Sequence, residues 1–148
     1  MAQSATKQSA QPTMIQSLLD KAAAHPRIMF LIDGCGAVLT AFLSGVVLVR
    51  FEEFFGMPKN VLFILTAIAC FFAVYSFTCA ALNVQSWQPL MRIIAIANTL
   101  FCCLTAVLVV YFYSQLTAFG VAYFVQEWFV VGAVVWAELR IIARSTQR

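Results

Sequence analysis

The sequence predicts an all-α membrane protein that folds as an antiparallel four-helix transmembrane bundle. Hydrophobic residues make up 63% of its 148 residues and charged residues only 10%, whereas a soluble domain is about 25% charged. So much apolar surface cannot be hidden inside one small domain, and lipid has to cover the remainder. The chain also contains four long apolar segments, and a helix of about 20 residues crosses the roughly 30 Å hydrocarbon layer.

The apolar segments define the organisation of the chain. The expected spans cover residues 28–50, 61–82, 93–113 and 121–142. The links between them are short, and the first two contain Gly56, Pro58 and Pro89. Short links make neighbouring helices antiparallel. We therefore expect one bundle over residues 28–142 and no folded soluble domain.

Two tails flank the expected bundle, over residues 1–27 and 143–148. Residues 1–12 are polar and are predicted to be disordered. Residues 13–24 are expected to form a short helix, because Pro12 favours a helix start and Pro26 a stop. Apolar residues recur on one side of this helix, which predicts that it lies in the membrane interface. An ordinary solvated helix is the alternative.

The basic residues predict the orientation of the chain. With a cytoplasmic N-terminus, the cytoplasmic side holds Lys7, Lys21, Arg27, Arg92, Arg140, Arg144 and Arg148. The other side then holds Arg50 and Lys59. Because basic residues accumulate in cytoplasmic loops, both termini are expected in the cytoplasm. The location is expected to be the cell membrane, and the composition is typical of a multi-pass protein of the bacterial inner membrane.

Each expected span carries a stripe of small or hydrogen-bonding residues at helical spacing. In the first two spans the stripes are Asp33, Ala37, Thr40 and Ser44, and Thr66, Ala69, Ala73, Ser76, Ala80 and Asn83. In the last two they are Ala95, Asn98, Cys102 and Thr105, and Glu127, Val131, Val134 and Glu138. Helix interfaces in membranes favour such residues. We expect the stripes to face one another, with the Phe-, Leu-, Ile- and Val-rich faces against lipid or a second subunit.

Intramembrane carboxylates are the candidate site residues, because a charge inside the bilayer is costly and needs a partner or a proton. Asp33 and Glu138 are expected in one layer near the cytoplasmic side. Asn83, Arg92 and Asn98 reach toward the same layer from the second and third spans. This convergence predicts a polar pocket that opens to the cytoplasm.

Glu127 is expected in the outer layer of the bundle, beside the end of the first span. Arg50 lies at that end, so an Arg50–Glu127 ion pair is predicted. On a structural interpretation, this pair and a pairing of Arg92 or Arg140 with Asp33 or Glu138 would fix the order of the helices. On a functional interpretation, the carboxylates would bind protons or a cation.

These residues leave several functions open. We expect no enzymatic activity and an accessory or structural membrane subunit. The alternative is a small proton-coupled carrier, and a further one is a membrane thiol–disulfide protein, suggested by Cys102 and Cys103. Neighbouring residues on a helix point about 100° apart, which disfavours the thiol chemistry.

The residues also limit cofactors and partners. The chain has one histidine and no CxxC motif, so neither a metal site nor a cofactor is expected. The expected partners are the lipid bilayer and either a homo-oligomer or a larger membrane complex. A basic stripe with interleaved aromatic residues is missing from the sequence, so no nucleic-acid binding is expected.

Overall fold

A computed structural model of the protein describes residues 25–82 and 86–145, with side chains as far as residue 143, and most of these residues are helical. The helices are α1 (Pro26–Leu48), α2 (Glu52–Phe55), α3 (Lys59–Leu82), α4 (Trp87–Tyr111) and α5 (Ala118–Ser145). These residues include no strand. The four longer helices are long and apolar enough to cross a membrane. The disordered tail over residues 1–12, the helix over 13–24 and residue Asn83 lie outside the described residues.

All four long helices begin earlier in the chain than the expected spans, and the differences are largest for α4 and α5. α4 begins at Trp87, and Pro89 is tolerated there because the backbone N–H groups of a first turn have no partner within the helix. α5 begins at Ala118, directly after Thr117. The Thr117 hydroxyl accepts a hydrogen bond from the backbone N–H of Gly120 at 3.2 Å, which is the contact of a helix-capping side chain.

The end of α1 departs from regular α-helical geometry. Leu43–Leu48 is π-helical, so its hydrogen bonds reach five residues back instead of four. This segment carries Ser44 and Gly45 toward α3. The Ser44 Oγ lies 2.9 Å from the Thr66 Oγ1. A Cβ atom added at Gly45 would lie 2.7 Å from the Thr66 Cγ2, so the close approach of the two helices here depends on glycine.

The helices associate most extensively in two pairs. α1 packs along α3, and α4 packs along α5, whereas contact between α3 and α4 is sparser. α1 and α5 are not among the closely packed pairs. The interior of the bundle therefore lies between a first pair, α1 and α3, and a second pair, α4 and α5.

The inward stripes that the sequence predicts are confirmed for the described residues. Each stripe residue is buried or half-buried, and none of those described is exposed. The opposite faces carry exposed large apolar side chains, among them Phe71 at 68%, Val110 at 77% and Phe129 at 76%. Exposed apolar surface of this extent is typical of a site of contact with a membrane or with another protein.

Two apolar clusters occupy opposite ends of the interior. The first cluster consists of Met29, Phe30, Cys79, Ala80, Met91, Ile94, Ile141 and Ile142. The second cluster consists of Leu48, Met57, Leu62, Leu65, Phe101, Val109 and Phe124. Most of the buried polar side chains lie along the helices between the two clusters. The polar interior is thus enclosed by apolar packing at both ends.

α2 connects the first pair to the second. It ends at Gly56, which has a φ of 80°, a conformation that glycine adopts readily. The Thr117 Oγ1 donates a hydrogen bond to the backbone carbonyl of Phe54 at 2.6 Å. The rings of Phe54 and Phe119 stack with centroids 4.6 Å apart. We call these contacts of α2 with the start of α5 the α2 latch.

Candidate functional site

Asp33 is a buried polar residue that bonds to side chains of two other helices. Its side chain is 6% exposed. Its Oδ1 accepts a hydrogen bond from the Asn98 Nδ2 at 2.6 Å, and its Oδ2 accepts one from the Ser76 Oγ at 2.6 Å. The carboxylate therefore joins α1 to α3 and to α4. Both bonds are short for their donor types.

Glu138 on α5 faces the same layer from the other side. It is 1% exposed, and its Oε2 has no hydrogen-bond partner among the described residues. The carboxylate of Asp33 is close enough to act on it electrostatically. The sequence prediction that Asp33 and Glu138 share a layer is consistent with this proximity. Two acidic groups thus meet in the interior.

Glu127 lies deeper in the bundle than the sequence predicts. It is 9% exposed, and its Oε2 also has no partner among the described residues. Thr40 of α1 and Tyr123 of α5 are its polar neighbours, and Cys102 of α4 is within electrostatic range. Thr40 lies near the middle of Pro26–Leu48, so Glu127 belongs to the central layer and not to the outer one.

A cavity of about 60 Å³ lies beside Asp33, in the interior between the four long helices. Each of the four long helices contributes to its lining, which consists of Asp33, Gly36, Ala37, Thr40, Ala69, Phe72, Asn98, Phe101, Val130, Val131 and Val134. Asp33 and Asn98 form one polar part of the wall, and Thr40 places Glu127 beside the lining. The rest of the wall is apolar. The volume exceeds what one water molecule requires.

The interior polar layer does not open to the end of the bundle that the sequence predicts to be cytoplasmic. Phe30, Ala80, Ile94 and Ile141 belong to the first apolar cluster and lie about one turn from the polar residues toward that end. Arg92 is exposed and does not join the layer. The predicted opening to the cytoplasm is therefore wrong, because apolar packing separates the polar layer from that end.

The predicted Arg50–Glu127 ion pair is not formed. Glu127 neighbours Thr40, which precedes Arg50 by ten residues, or about 15 Å along a helix. In the part of the chain that the structure describes, the ion pair present is Lys59–Glu52 at 2.7 Å. The hydrogen bond from Lys59 lowers the pKa of the exposed Glu52 carboxyl. This pair joins α2 to the first residue of α3 and includes none of the interior carboxylates.

The alternative ion pairs through Arg92 or Arg140 are also absent from the described side chains. Arg140 is exposed and lies over the ring of Trp136, with its guanidinium carbon 5.0 Å from the ring centroid. An exposed guanidinium on this face points away from Asp33 and Glu138. The interior carboxylates therefore have no basic partner among the described side chains.

The cysteines are free thiols. Cys102 is half-buried, whereas Cys103 is exposed on another face of α4, as the angle between neighbouring helical residues requires. In the described part of the chain, no group of three or more His, Cys, Asp or Glu side chains is placed to hold a metal ion.

Sequence reasoning missed several residues of the site. Ser76 and Thr40 were recognised as stripe residues but not as neighbours of the carboxylates. Phe72 and Phe101 form apolar walls of the cavity and carry no sequence signal that separates them from other aromatic residues in the spans. The helical spacing of Ser76 and Thr40 on the same stripes as the candidate residues could have identified both.

The chain matches no protein-family model, and comparisons with curated proteins and with solved structures find no match.

Proposed function

We propose that the protein is a small proton-coupled carrier, built as an antiparallel four-helix bundle in a membrane, in which Asp33, Glu138 and Glu127 exchange protons for a cation. The observation that carries the proposal is the burial of both Asp33 and Glu138, within electrostatic range of each other, without a basic partner among the described side chains. Acidic groups buried together in an apolar medium need a proton or a bound cation for neutrality.

The accessory or structural role remains the second candidate. A carboxylate that only holds helices together is expected to have a basic partner and satisfied oxygens, since an unpaired buried charge is destabilising. Asp33 meets the second requirement through Ser76 and Asn98. Glu127 and Glu138 do not, because each has an Oε2 without a partner in the described part of the chain. This difference favours the carrier.

The proposed topology has both termini in the cytoplasm, and it is supported by seven basic residues against two on the opposite side. Contacts between Asp33 and Ser76, and between Ser44 and Thr66, support opposite directions for α1 and α3. The orientation is tested in a variant without native cysteines, into which a single cysteine is introduced in place of Lys59 or of Arg148. A hydrophilic thiol reagent is then added to intact cells. Labelling from outside intact cells is expected at position 59 and not at 148.

The transport test uses purified protein in liposomes that contain a trapped pH indicator. Outward gradients of Na⁺, K⁺ or acetamidinium, a small organic cation that does not cross the bilayer as a neutral base, are imposed in turn. A carrier that exchanges a cation for protons acidifies the lumen with at least one of them. Silence with all three cations, in vesicles shown to contain folded protein, would contradict the proposal.

Substitutions distinguish proton movement through the protein from passive leakage of protons across the liposome membrane. Asp33→Asn and Glu138→Gln are expected to abolish the response, because each removes an ionisable group from the interior. Glu53→Gln is the matched control, since Glu53 is an exposed carboxylate outside the four long helices, and it should leave the response unchanged. Equal responses from the parent and from Asp33→Asn would show that the proton movement is not carried by this site.

A further inference from the structure

The central cavity has an opening on one side of the bundle. On the α3 and α4 side, its lining residues Ala69, Asn98 and Phe101 are buried. On the other side, Gly36 of α1 and Val130 of α5 line the same cavity and are exposed. α1 and α5 are also not among the closely packed helix pairs. The opening therefore lies between α1 and α5.

The depth of the opening places it away from both ends of the helices. Gly36 follows Pro26 by ten residues, which corresponds to about 15 Å along α1, or half of a hydrocarbon layer of about 30 Å. The two apolar clusters close the interior at its ends. In a bilayer, the cavity would therefore communicate with the lipid tails and not directly with water.

The walls of the cavity combine a hydrogen-bond-accepting part with an apolar part. Each Asp33 oxygen already accepts one hydrogen bond, and a carboxylate oxygen can accept a second. The Asn98 carbonyl and the Thr40 hydroxyl add two more acceptors on the lining. Phe72 and Phe101 form part of the apolar wall.

These acceptors match the N–H groups of a primary ammonium, which has three donors on one nitrogen. A hard divalent cation prefers about six oxygen ligands, more than this lining offers. The volume of about 60 Å³ limits the apolar body of a ligand to a short chain.

We infer that the cavity binds a short-chain primary amine, which enters from the bilayer between α1 and α5 and is held as an ammonium by Asp33, Asn98 and Thr40. The inference rests on the proposed function, since it names the class of cation that is exchanged for protons. Amines of this kind cross the hydrocarbon layer in their neutral form, which suits a side opening at this depth.

The proton balance of binding is defined. In water the amine loses one proton to the solvent and enters the bilayer as a neutral base. In the cavity the nitrogen takes the proton held by the Asp33 and Glu138 carboxyl groups, and an ammonium–carboxylate pair forms. One proton therefore appears in the bulk solution for each ammonium that is removed from it.

Calorimetric titration of the detergent-solubilised protein with n-butylamine, in two buffers of different ionisation enthalpy, measures both affinity and proton release. We expect saturable binding with about one proton released per amine. Butyltrimethylammonium is the matched ligand control, because it has no N–H group and no neutral form, and it should not bind. Equal binding of the two compounds would overturn the inference.

Two glycines provide matched variants that leave the carboxylates intact. A Cβ at Gly36 or at Gly132 meets no other atom within 4 Å, so both sites accept a side chain. Gly36 lines the cavity and Gly132 does not. Gly36→Leu should weaken n-butylamine binding about tenfold or more, which is about 1.4 kcal/mol, whereas Gly132→Leu should bind like the parent. An equal effect of both variants would contradict entry through this opening.

The inference and the proposed function fail in different ways. Cation-driven proton movement that depends on Asp33, without any n-butylamine binding, would overturn the amine site and leave the carrier standing. Binding of n-butylamine that responds to Gly36→Leu, with no proton movement for any cation in liposomes, would support the site and contradict the carrier. Asp33→Asn should abolish amine binding. If the Asp33→Asn variant does not fold, the comparison of Gly36→Leu with Gly132→Leu still tests the amine site.

Discussion

Asp33 and Asn98 are separated by 64 residues along the chain, yet the Asn98 Nδ2 lies 2.6 Å from the Asp33 Oδ1. This hydrogen bond links the first helix pair to the second across the interior of the bundle. The contact is buried, so loss of either partner would leave a polar group in the interior without its hydrogen bond.

Asn98→Ala is expected to lower the free energy of unfolding by about 1–3 kcal/mol, because the buried Asp33 carboxylate loses a donor. Thermal or denaturant unfolding in detergent measures the loss. Thr99→Ala is the control, since the Thr99 hydroxyl bonds to the Ala95 carbonyl of its own helix. A loss no larger than that of the control would mean that the Asp33–Asn98 contact contributes little to stability.

Glu138→Gln is expected to leave the melting temperature unchanged or to raise it, with a gain on the order of 1 kcal/mol. The substitution removes an acidic group that lies beside Asp33 and has an oxygen without a partner in the described part of the chain. Glu53→Gln again serves as the control. A clear decrease for Glu138→Gln alone would indicate that Glu138 stabilises the fold, and it would favour the accessory role over the carrier.

Gly45→Ala is expected to destabilise the protein by about 1–3 kcal/mol through overpacking. The added Cβ would lie 2.7 Å from Cγ2 and 2.9 Å from Oγ1 of Thr66, so rotation of the Thr66 side chain exchanges one clash for the other. Gly36→Ala, in open space on the same helix, should be neutral or stabilising by up to about 1 kcal/mol. Similar melting temperatures for the two variants would contradict close α1–α3 packing at Gly45.

Thr117→Val is expected to cost about 1–2 kcal/mol, because it removes both the helix cap of α5 and the hydrogen bond of the α2 latch to Phe54. Denaturant unfolding measures the change. Thr78→Val is the isosteric control, since Thr78 is exposed and bonds only within α3, and its effect should stay within about 0.5 kcal/mol. If Thr117→Val and Thr78→Val lower the free energy of unfolding by the same amount, the α2 latch contributes no stability beyond that of a single threonine hydroxyl group.

Helical spacing was sufficient to predict the inward faces of the helices. Asp33, Ser76 and Asn98 follow from it because small and polar residues three or four positions apart occupy one side of a helix. The antiparallel order of the spans places Asp33 and Glu138 in one layer. Asp33 lies near the start of the first span and Glu138 near the end of the fourth, and these two span ends are expected on the same side.

The depth of the carboxylates in the bundle and the identity of their polar partners could not be predicted from helical spacing. Glu127 was assigned to the outer layer because its distance from a span end was counted from residue 121, whereas α5 begins at Ala118. Arg50 was expected beside Glu127 because both were placed in the outer layer, whereas Arg50 is exposed and Glu127 neighbours Thr40. The π-helical segment Leu43–Leu48 also has no sequence signal that separates it from the rest of α1.

The arrangement in two helix pairs has a consequence for biosynthesis. Each pair is joined by a short connection, and its two helices contact each other more closely than they contact the helices of the other pair. During synthesis the first pair can therefore insert and pack before the second pair leaves the ribosome. The second pair then recognises the first through Asn98 and the other groups that meet Asp33, so these polar side chains also specify how the two halves assemble. Residues 1–82 and 86–148, produced as separate polypeptides in the same cell, should accordingly find each other and form the complete bundle.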